Sequence, residues 1–205
     1  MNKFILTTLM LFAFVLSASS QLVRLGSGMS ISSIDKNEYG LFRDNLYSNS
    51  YSAGIEYWRH RYFYLSSEAA YVAKGGKWNM PAVLAPLFPP SARTVTAKGE
   101  YIHVNTTLRG RCRAGNVEFY LGIGPKVDFV VGSDISTGDD YGMEYDKLSF
   151  GLVPQGGARL YIMKRYMVGL DASRIINFKP IVKAGGTTFD NTTTLLTATI
   201  GYVIR

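Results

Sequence analysis

Residues 117–131, VEFYLGIGPKVDFVV, carry the clearest structural signal in the sequence. The odd positions from Val117 to Val131 are apolar or proline, and most even positions are polar or glycine. A period of two predicts a β-strand with one apolar face. The 15 residues of this stretch exceed the roughly 5–6 of a typical globular strand. They suit a tilted strand that crosses a membrane in about 9–11 residues and continues beyond it.

The same alternation occurs in eight segments of the chain. They are 23–31, 51–57, 64–73, 101–109, 117–131, 150–160, 166–173 and 195–204. The connections between them alternate in length: short ones lie near 59–61, 113–116 and 164–165, and long ones near 33–50, 76–95, 132–147 and 176–191. Short turns on one side and long loops on the other are typical of outer-membrane barrels. The pattern predicts an all-β, eight-stranded, antiparallel up-and-down transmembrane β-barrel with both termini on the periplasmic side.

The alternation also predicts which side chains face the barrel interior. Nine charged residues fall on the polar face of the predicted strands: Arg24, Glu56, Glu68, Arg109, Glu118, Lys126, Asp128, Arg159 and Asp171. A charge on the lipid side at the bilayer midplane costs about 2–4 kcal/mol, so we expect these side chains to point inward and to form a structural charge network. Five tyrosines are predicted near strand ends, as in an interfacial girdle: Tyr51, Tyr57, Tyr62, Tyr166 and Tyr202.

The N-terminus has the order of a secretory signal peptide. Lys3 precedes a 13-residue apolar stretch, 4–16, which is followed by the small residues of 17–20. That stretch is shorter than the roughly 20 residues that span a bilayer as a helix. We therefore predict a cleaved signal peptide at residues 1–20, with Ala18 and Ser20 before the cleavage point, and an outer-membrane barrel domain at residues 21–205.

Composition excludes several other classes of protein. The net charge is +7, but no Lys/Arg run of five or more occurs, so nucleic-acid binding is not expected. The single cysteine, Cys112, excludes an intrachain disulfide framework and a cysteine-based zinc cluster. No G-x-S-x-G elbow, H-E-x-x-H motif or phosphate-binding glycine loop is present. We expect no catalytic residues, no metal site and no cofactor.

Four short motifs resemble one known family. They are LSSEAAYVAKG at 65–75, YLGIGP at 120–125, FGLVPQGG at 150–157 and TIGYVI at 199–204. These stretches resemble strands of the PorT-like outer-membrane β-barrel family of Bacteroidetes, with one departure, because Ile204 and Arg205 stand where the family usually ends on an aromatic residue. The resemblance implies the fold and an outer-membrane location, and it implies no catalytic residues.

The leading functional prediction is a non-enzymatic integral outer-membrane protein that is structural or binds a partner through long extracellular loops. Its expected partners are outer-membrane lipid, the barrel-assembly machinery during insertion, and an extracellular or envelope protein. Apolar residues and four prolines at 80–90 suggest a lid or a partner-binding patch there. Two alternatives remain open. One is a lipid-modifying outer-membrane enzyme that pairs His103 with Glu68, and the other is a narrow, porin-like solute channel.

Overall fold

The computed structural model describes residues 21–34, 44–79, 94–135, 144–180, 182–184 and 187–204. The predicted signal peptide and the proline-rich segment 80–90 lie outside the described residues. The strands are β1 (Gln21–Ile34), β2 (Asp44–Tyr57), β3 (Phe63–Asn79), β4 (Thr94–Ala114), β5 (Val117–Ile123), β6 (Pro125–Ile135), β7 (Glu144–Tyr145), β8 (Leu148–Leu152), β9 (Gln155–Ile162), β10 (Tyr166–Asn177), β11 (Val182–Ala184), β12 (Thr187–Phe189) and β13 (Asn191–Ile204). No helix in the described part of the chain is long and apolar enough to cross a bilayer.

The main sheet contains ten strands that follow eight tracks. The strands β5 and β6 share one track and are separated at Gly124, and β8 and β9 share another and are separated at Val153 and Pro154. Each track pairs with its sequence neighbours in antiparallel register, from β1 with β2 through to β10 with β13. The last strand, β13, also pairs with β1 along 14 residue pairs, from Gln21↔Ile204 to Ile34↔Asn191. The pairings therefore form a ring, and the predicted all-β, up-and-down fold with eight tracks is confirmed.

The strands extend further into the predicted long connections than the apolar pattern indicated. The strand β4 is 21 residues long and begins at Thr94, although the alternation began only at 101. Outside the ring, β11 pairs with β7 and with β12 in a small three-stranded sheet. Backbone pairing between polar residues stabilises these extensions, and hydrophobic periodicity gives no signal for it.

Short connections lie at one end of the ring, as predicted. Between β4 and β5 the chain reverses at Gly115 and Asn116, and Gly115 has a φ of 60°, which costs glycine nothing. Of the five predicted girdle tyrosines, Tyr57, Tyr166 and Tyr202 lie at this end of their strands, and Tyr62 directly precedes β3. Tyr51 does not lie at this end, because it is the eighth of the 14 residues of β2. That prediction was wrong because the strand begins seven residues before the predicted start.

Side chains alternate between the two faces of the ring. Large apolar residues point outward and are exposed, including Leu25, Leu108, Phe119, Leu121, Phe129, Phe150, Leu170 and Ile200. Polar and charged residues alternate with them and are buried. The inward direction is shown by contacts between strands that are not neighbours, since Glu56 on β2 pairs with Arg159 on β9. Such a contact is made only across the interior.

Candidate functional site in the barrel interior

All nine charged residues predicted on the polar face lie inside the ring. Seven of them have exposures of 3% or less, and the side chains of Glu68 and Asp171 are 13% and 10% exposed. Lys126 and Asp128 show which face of the segment 117–131 points inward, because they are 2% and 0% exposed. The structure arranges the nine in three groups along the interior.

The middle group begins at Arg24 on β1, which bridges two carboxylates. Its guanidinium donates to Asp171 on β10 at 2.9 Å and to Glu68 on β3. The hydroxyl of Tyr120 donates to the other oxygen of Asp171 at 2.5 Å. Arg24 therefore joins two strands that are not its partners in the sheet, and it ties opposite parts of the wall together.

Two more arginines surround Glu56 in the same group. Arg109 donates to Glu56 at 3.4 Å and to Gln155 at 3.0 Å, and Arg159 also donates to Glu56. Both guanidinium groups lie over the ring of Tyr120, at 4.6 and 4.3 Å from its centroid. An aromatic face attracts a cation that has been removed from water. Tyr120 therefore stabilises the two buried guanidinium groups in addition to the single carboxylate of Glu56.

A second group closes the end of the interior with the short connections. Glu118 accepts from Arg111 at 3.1 Å and from the hydroxyl of Tyr161 at 3.2 Å, and Arg59 lies 3.6 Å away. Arg59 belongs to the connection between β2 and β3, outside the strands. Burial alone would lower its pKa, but attraction to Tyr161, Glu56 and Glu118 outweighs burial and raises the pKa. Arg59 therefore stays charged and covers this end of the interior.

The third group lies toward the long connections and is centred on Asp128. Lys74 and Lys126 both donate to Asp128, and His103 Nδ1 lies 2.6 Å from its other oxygen. The amide of Asn105 lies 3.1 Å from His103 Nε2. Because a carboxylate only accepts, the Nδ1 nitrogen donates in this pair and Nε2 is left to accept from Asn105. Two ammonium groups thus share one carboxylate.

Sequence reasoning missed Lys74 because the predicted segment ended at residue 73. Its even number is in phase with the inward positions Tyr64 and Val72, so extending the alternation by one residue would have found it. In the structure, His103 and Glu68, the pair considered for catalysis, bond to other groups: His103 lies within hydrogen-bonding distance of Asp128 and Asn105, while Glu68 accepts from Arg24. Within the described residues, no group of three or more potential metal ligands occurs.

Apolar side chains also fill part of the interior. Val72, Val153 and Ile175 form one buried cluster with Ala70 and Leu195. These residues come from β3, from the break between β8 and β9, from β10 and from β13, so the cluster reaches across the ring. They share the interior with the arginines and tyrosines, and the interior of an eight-stranded barrel is just wide enough for side chains to fill.

Comparison with known proteins identifies the fold. Three solved structures are similar: the outer membrane protein OprG of Pseudomonas aeruginosa (12% identity, 92% of this chain and 97% of that one, TM-score 0.61), Neisserial surface protein A (11%, 90% and 98%, TM-score 0.57), and the outer membrane protein AlkL in lipid bilayers (11%, 92% and 92%, TM-score 0.51). No protein-family model and no curated protein sequence matches this chain. The ring of eight tracks is the fold of the small outer-membrane β-barrels.

Proposed function

We propose that residues 21–205 form an integral outer-membrane protein, non-enzymatic and partner-binding, after cleavage of residues 1–20. The observation that carries this proposal is the polarity of the wall. Arg24, Glu56 and Asp128 are buried and ion-paired inside the ring, while the outward face is built from large exposed apolar side chains. A water-soluble barrel has the opposite arrangement, with its apolar residues inside.

The outward face supports the proposal by its extent. Leu121 is 77% exposed, Leu170 is 70% exposed and Ile200 is 61% exposed, and they lie on three different strands. Soluble monomers rarely expose contiguous apolar patches larger than a few hundred square ångströms. In a bilayer the same side chains contact acyl chains, and ring closure leaves no unpaired strand edge in lipid.

The packed side chains inside the ring favour a plugged barrel over the narrow solute channel. A conducting lumen needs a continuous polar path, whereas the buried apolar cluster that contains Val72, Val153 and Ile175 reaches across this one. The arginines next to it are engaged with carboxylates and tyrosines. We therefore assign function to the long connections, which would meet an extracellular or envelope partner.

The geometry around His103 favours a non-enzymatic protein over the lipid-modifying enzyme. His103 and its partner Asp128 are both completely buried, and two lysines occupy the same carboxylate. A histidine that acts as a general base must lie within hydrogen-bonding reach of its substrate. An acyl chain or a sugar outside the wall has no contact with this histidine.

The same proposal includes membership of this chain in the PorT-like barrels, which the motifs at 65–75 and 120–125 support. Both termini would then face the periplasm, because the short connections and the two chain ends share one end of the ring. The barrel-assembly machinery would insert the chain.

Three experiments test the proposal. The full chain is expressed in a Gram-negative host, and the membrane fraction is analysed by gel electrophoresis with and without boiling. We expect a heat-modifiable band in the outer-membrane fraction. N-terminal sequencing of the protein in this band should begin at Gln21. Recovery of the protein in the aqueous fraction without detergent would overturn the membrane assignment.

Planar-bilayer recording then separates a plugged barrel from a channel. The purified protein is expected to give no steady conductance, with a porin of the same host as the positive control. Sustained ion conductance would replace the plugged barrel with the channel. Mass spectrometry of lipid A from cells with and without the protein tests the enzyme, and an unchanged profile is expected.

A further inference from the structure

An apolar groove crosses the outer wall at the end with the short connections. It has a volume of about 420 Å³ and lies across β1, β13 and β10. Its lining includes Val23, Leu25, Val168 and Ile200, together with Tyr166 and Tyr202. The two tyrosine rings meet edge to face, with centroids 5.5 Å apart, at the end of the groove nearest the turn between β9 and β10. The groove is a defined depression with an almost purely apolar surface.

Two cations lie beside this end of the groove. Lys164 and Arg165 form the turn that leads directly into Tyr166, and both are exposed. The turn is fixed by backbone hydrogen bonds, because Arg165 N–H donates to the carbonyl of Ile162 at 3.3 Å and Val203 N–H donates to the carbonyl of Arg165 at 2.8 Å. Within the part of the chain that the structure describes, neither cationic side chain has a hydrogen bond or an ion pair.

No exposed carboxylate among the described residues neutralises these cations. Glu118, at this end of the interior, and Glu56, in the middle group, are completely buried and engaged with arginines. An apolar groove with two unpaired cations at one end complements a molecule with an apolar chain and an anionic head.

We propose that this groove binds an anionic phospholipid of the periplasmic leaflet, with an acyl chain against Val168 and Ile200 and the phosphate at Lys164 and Arg165. The inference rests on the proposed membrane location and adds a ligand class to it. A basic side chain close to an anionic membrane surface strengthens binding about fivefold, so the two cations together give a measurable preference for anionic over zwitterionic lipid.

The test uses the full protein purified from membranes in a neutral detergent and examined by native mass spectrometry. Phosphatidylglycerol and phosphatidylcholine with the same acyl chains are added in equal amounts. The wild-type protein is expected to retain one phosphatidylglycerol with roughly thirtyfold preference, the order of effect that two interfacial cations provide. The double variant Lys164→Gln/Arg165→Gln should lose that preference.

Matched controls keep the result specific to the groove. Lys147→Gln/Lys179→Gln removes two exposed cations at the opposite end of the barrel and should keep the preference. Val168→Phe fills the groove and should reduce retention of both lipids several-fold. Val131→Phe makes the same change to an outward side chain on β6, outside the groove, and should leave the retention of both lipids unchanged.

Three results would overturn the inference. They are equal retention of the two lipids by the wild type, an equal loss of preference in both double variants, and a dimer in the same spectra that Val168→Phe abolishes, which would make the groove a contact between copies. Heat modifiability of every variant is measured first. A wild-type protein that forms the heat-modifiable barrel but shows no lipid preference refutes only the lipid site, whereas a wild-type protein that is not in the membrane refutes the proposed function as well.

Discussion

At the residue scale, the interior shows how buried charges are tolerated. Arg109 and Arg159 have no access to solvent, share Glu56 as a partner and lie over the ring of Tyr120. A buried ion pair adds little net stability compared with apolar residues of the same volume. Removing one partner is costly, because the remaining charges stay buried without compensation. The interior is therefore sensitive to single substitutions that leave its shape unchanged.

The first prediction concerns Glu56. Glu56→Gln keeps the volume but leaves Arg109 and Arg159 without their shared carboxylate, so we expect a loss of about 3–5 kcal/mol in the free energy of unfolding. The measurement is urea unfolding in lipid vesicles, followed by tryptophan fluorescence. Glu100→Gln is the matched control, because Glu100 pairs with Lys98 at a partly exposed site and should cost less than about 1 kcal/mol. Equal losses in the two variants would contradict the prediction.

The second prediction concerns the group around Asp128. Asp128→Asn leaves Lys74 and Lys126 as two buried ammonium groups with no carboxylate between them, and we expect a loss of about 3–5 kcal/mol. Adding Lys74→Met removes one of the uncompensated charges and should restore part of that loss. The four proteins of this double-mutant cycle are compared by the same urea unfolding. Simple additivity of the two substitutions would show that the groups are not coupled.

At the element scale, two neighbouring tracks are interrupted at the same level. The carbonyl of Gly124, between β5 and β6, accepts from Val153 N–H at 2.9 Å, and Pro154 accepts from Arg174 N–H at 3.0 Å. Hydrogen bonds therefore continue through both interruptions. Pro125 and Pro154 cannot donate to the ladder, which explains why the regular pairing breaks beside them.

The third prediction tests the close approach at the first interruption. A Cβ atom on Gly124 would collide with the carbonyl oxygen of Thr106 and with Thr107 Cα in the neighbouring strand. Because backbone atoms cannot move aside, Gly124→Ala should destabilise the barrel by about 1–3 kcal/mol, the usual cost of overpacking. The loss of stability is measured as a fall in the temperature at which the band of the folded, heat-modifiable form disappears.

Gly110→Ala is the control for the same chemical change. A Cβ atom there has its nearest neighbour, the carbonyl oxygen of Leu121, at 3.8 Å, which is an ordinary contact. The temperature should therefore stay close to that of the wild type. If this temperature fell as much in Gly110→Ala as in Gly124→Ala, the destabilisation would come from the loss of glycine itself and not from the collision of the added Cβ atom.

The alternation of apolar and polar residues predicted the inward and outward faces of the eight tracks well, but it predicted the residues at which the strands begin and end poorly. The burial of Lys126 and Asp128 follows directly from a period of two, because register decides the face of every side chain in a strand. The pattern fails at residues 72–76, where five consecutive residues are buried, including Ala73 and Gly75. The backbone of β3 is covered there by polar contacts, such as Gly75 N–H donating to the hydroxyl of Ser32 at 2.9 Å. Such contacts depend on a distant strand and have no local sequence signal.

At the scale of the whole molecule, the wall separates two environments that no single strand defines. Apolar residues on β5, β10 and β13 form one continuous outward surface only because the pairings close into a ring. The same closure brings Arg24 to Asp171 and Glu56 to Arg159. Partners inside the ring could not be predicted from the sequence, because alternation gives the face of a residue but not its height or its neighbour across the interior.

The fourth prediction separates a wall in lipid from a wall in water. Leu170 lies on the outward face in the middle of β10 and is 70% exposed. If acyl chains cover this face, Leu170→Arg places a charge in hydrocarbon and should cost about 2–4 kcal/mol in unfolding from lipid vesicles. In water the same change would replace an exposed apolar side chain with a hydrated one and would be close to neutral. Met163→Arg, in the turn beyond the strands, is the matched control and should change stability little in either case. A negligible effect of Leu170→Arg would place this face in water and remove the physical basis of the membrane assignment.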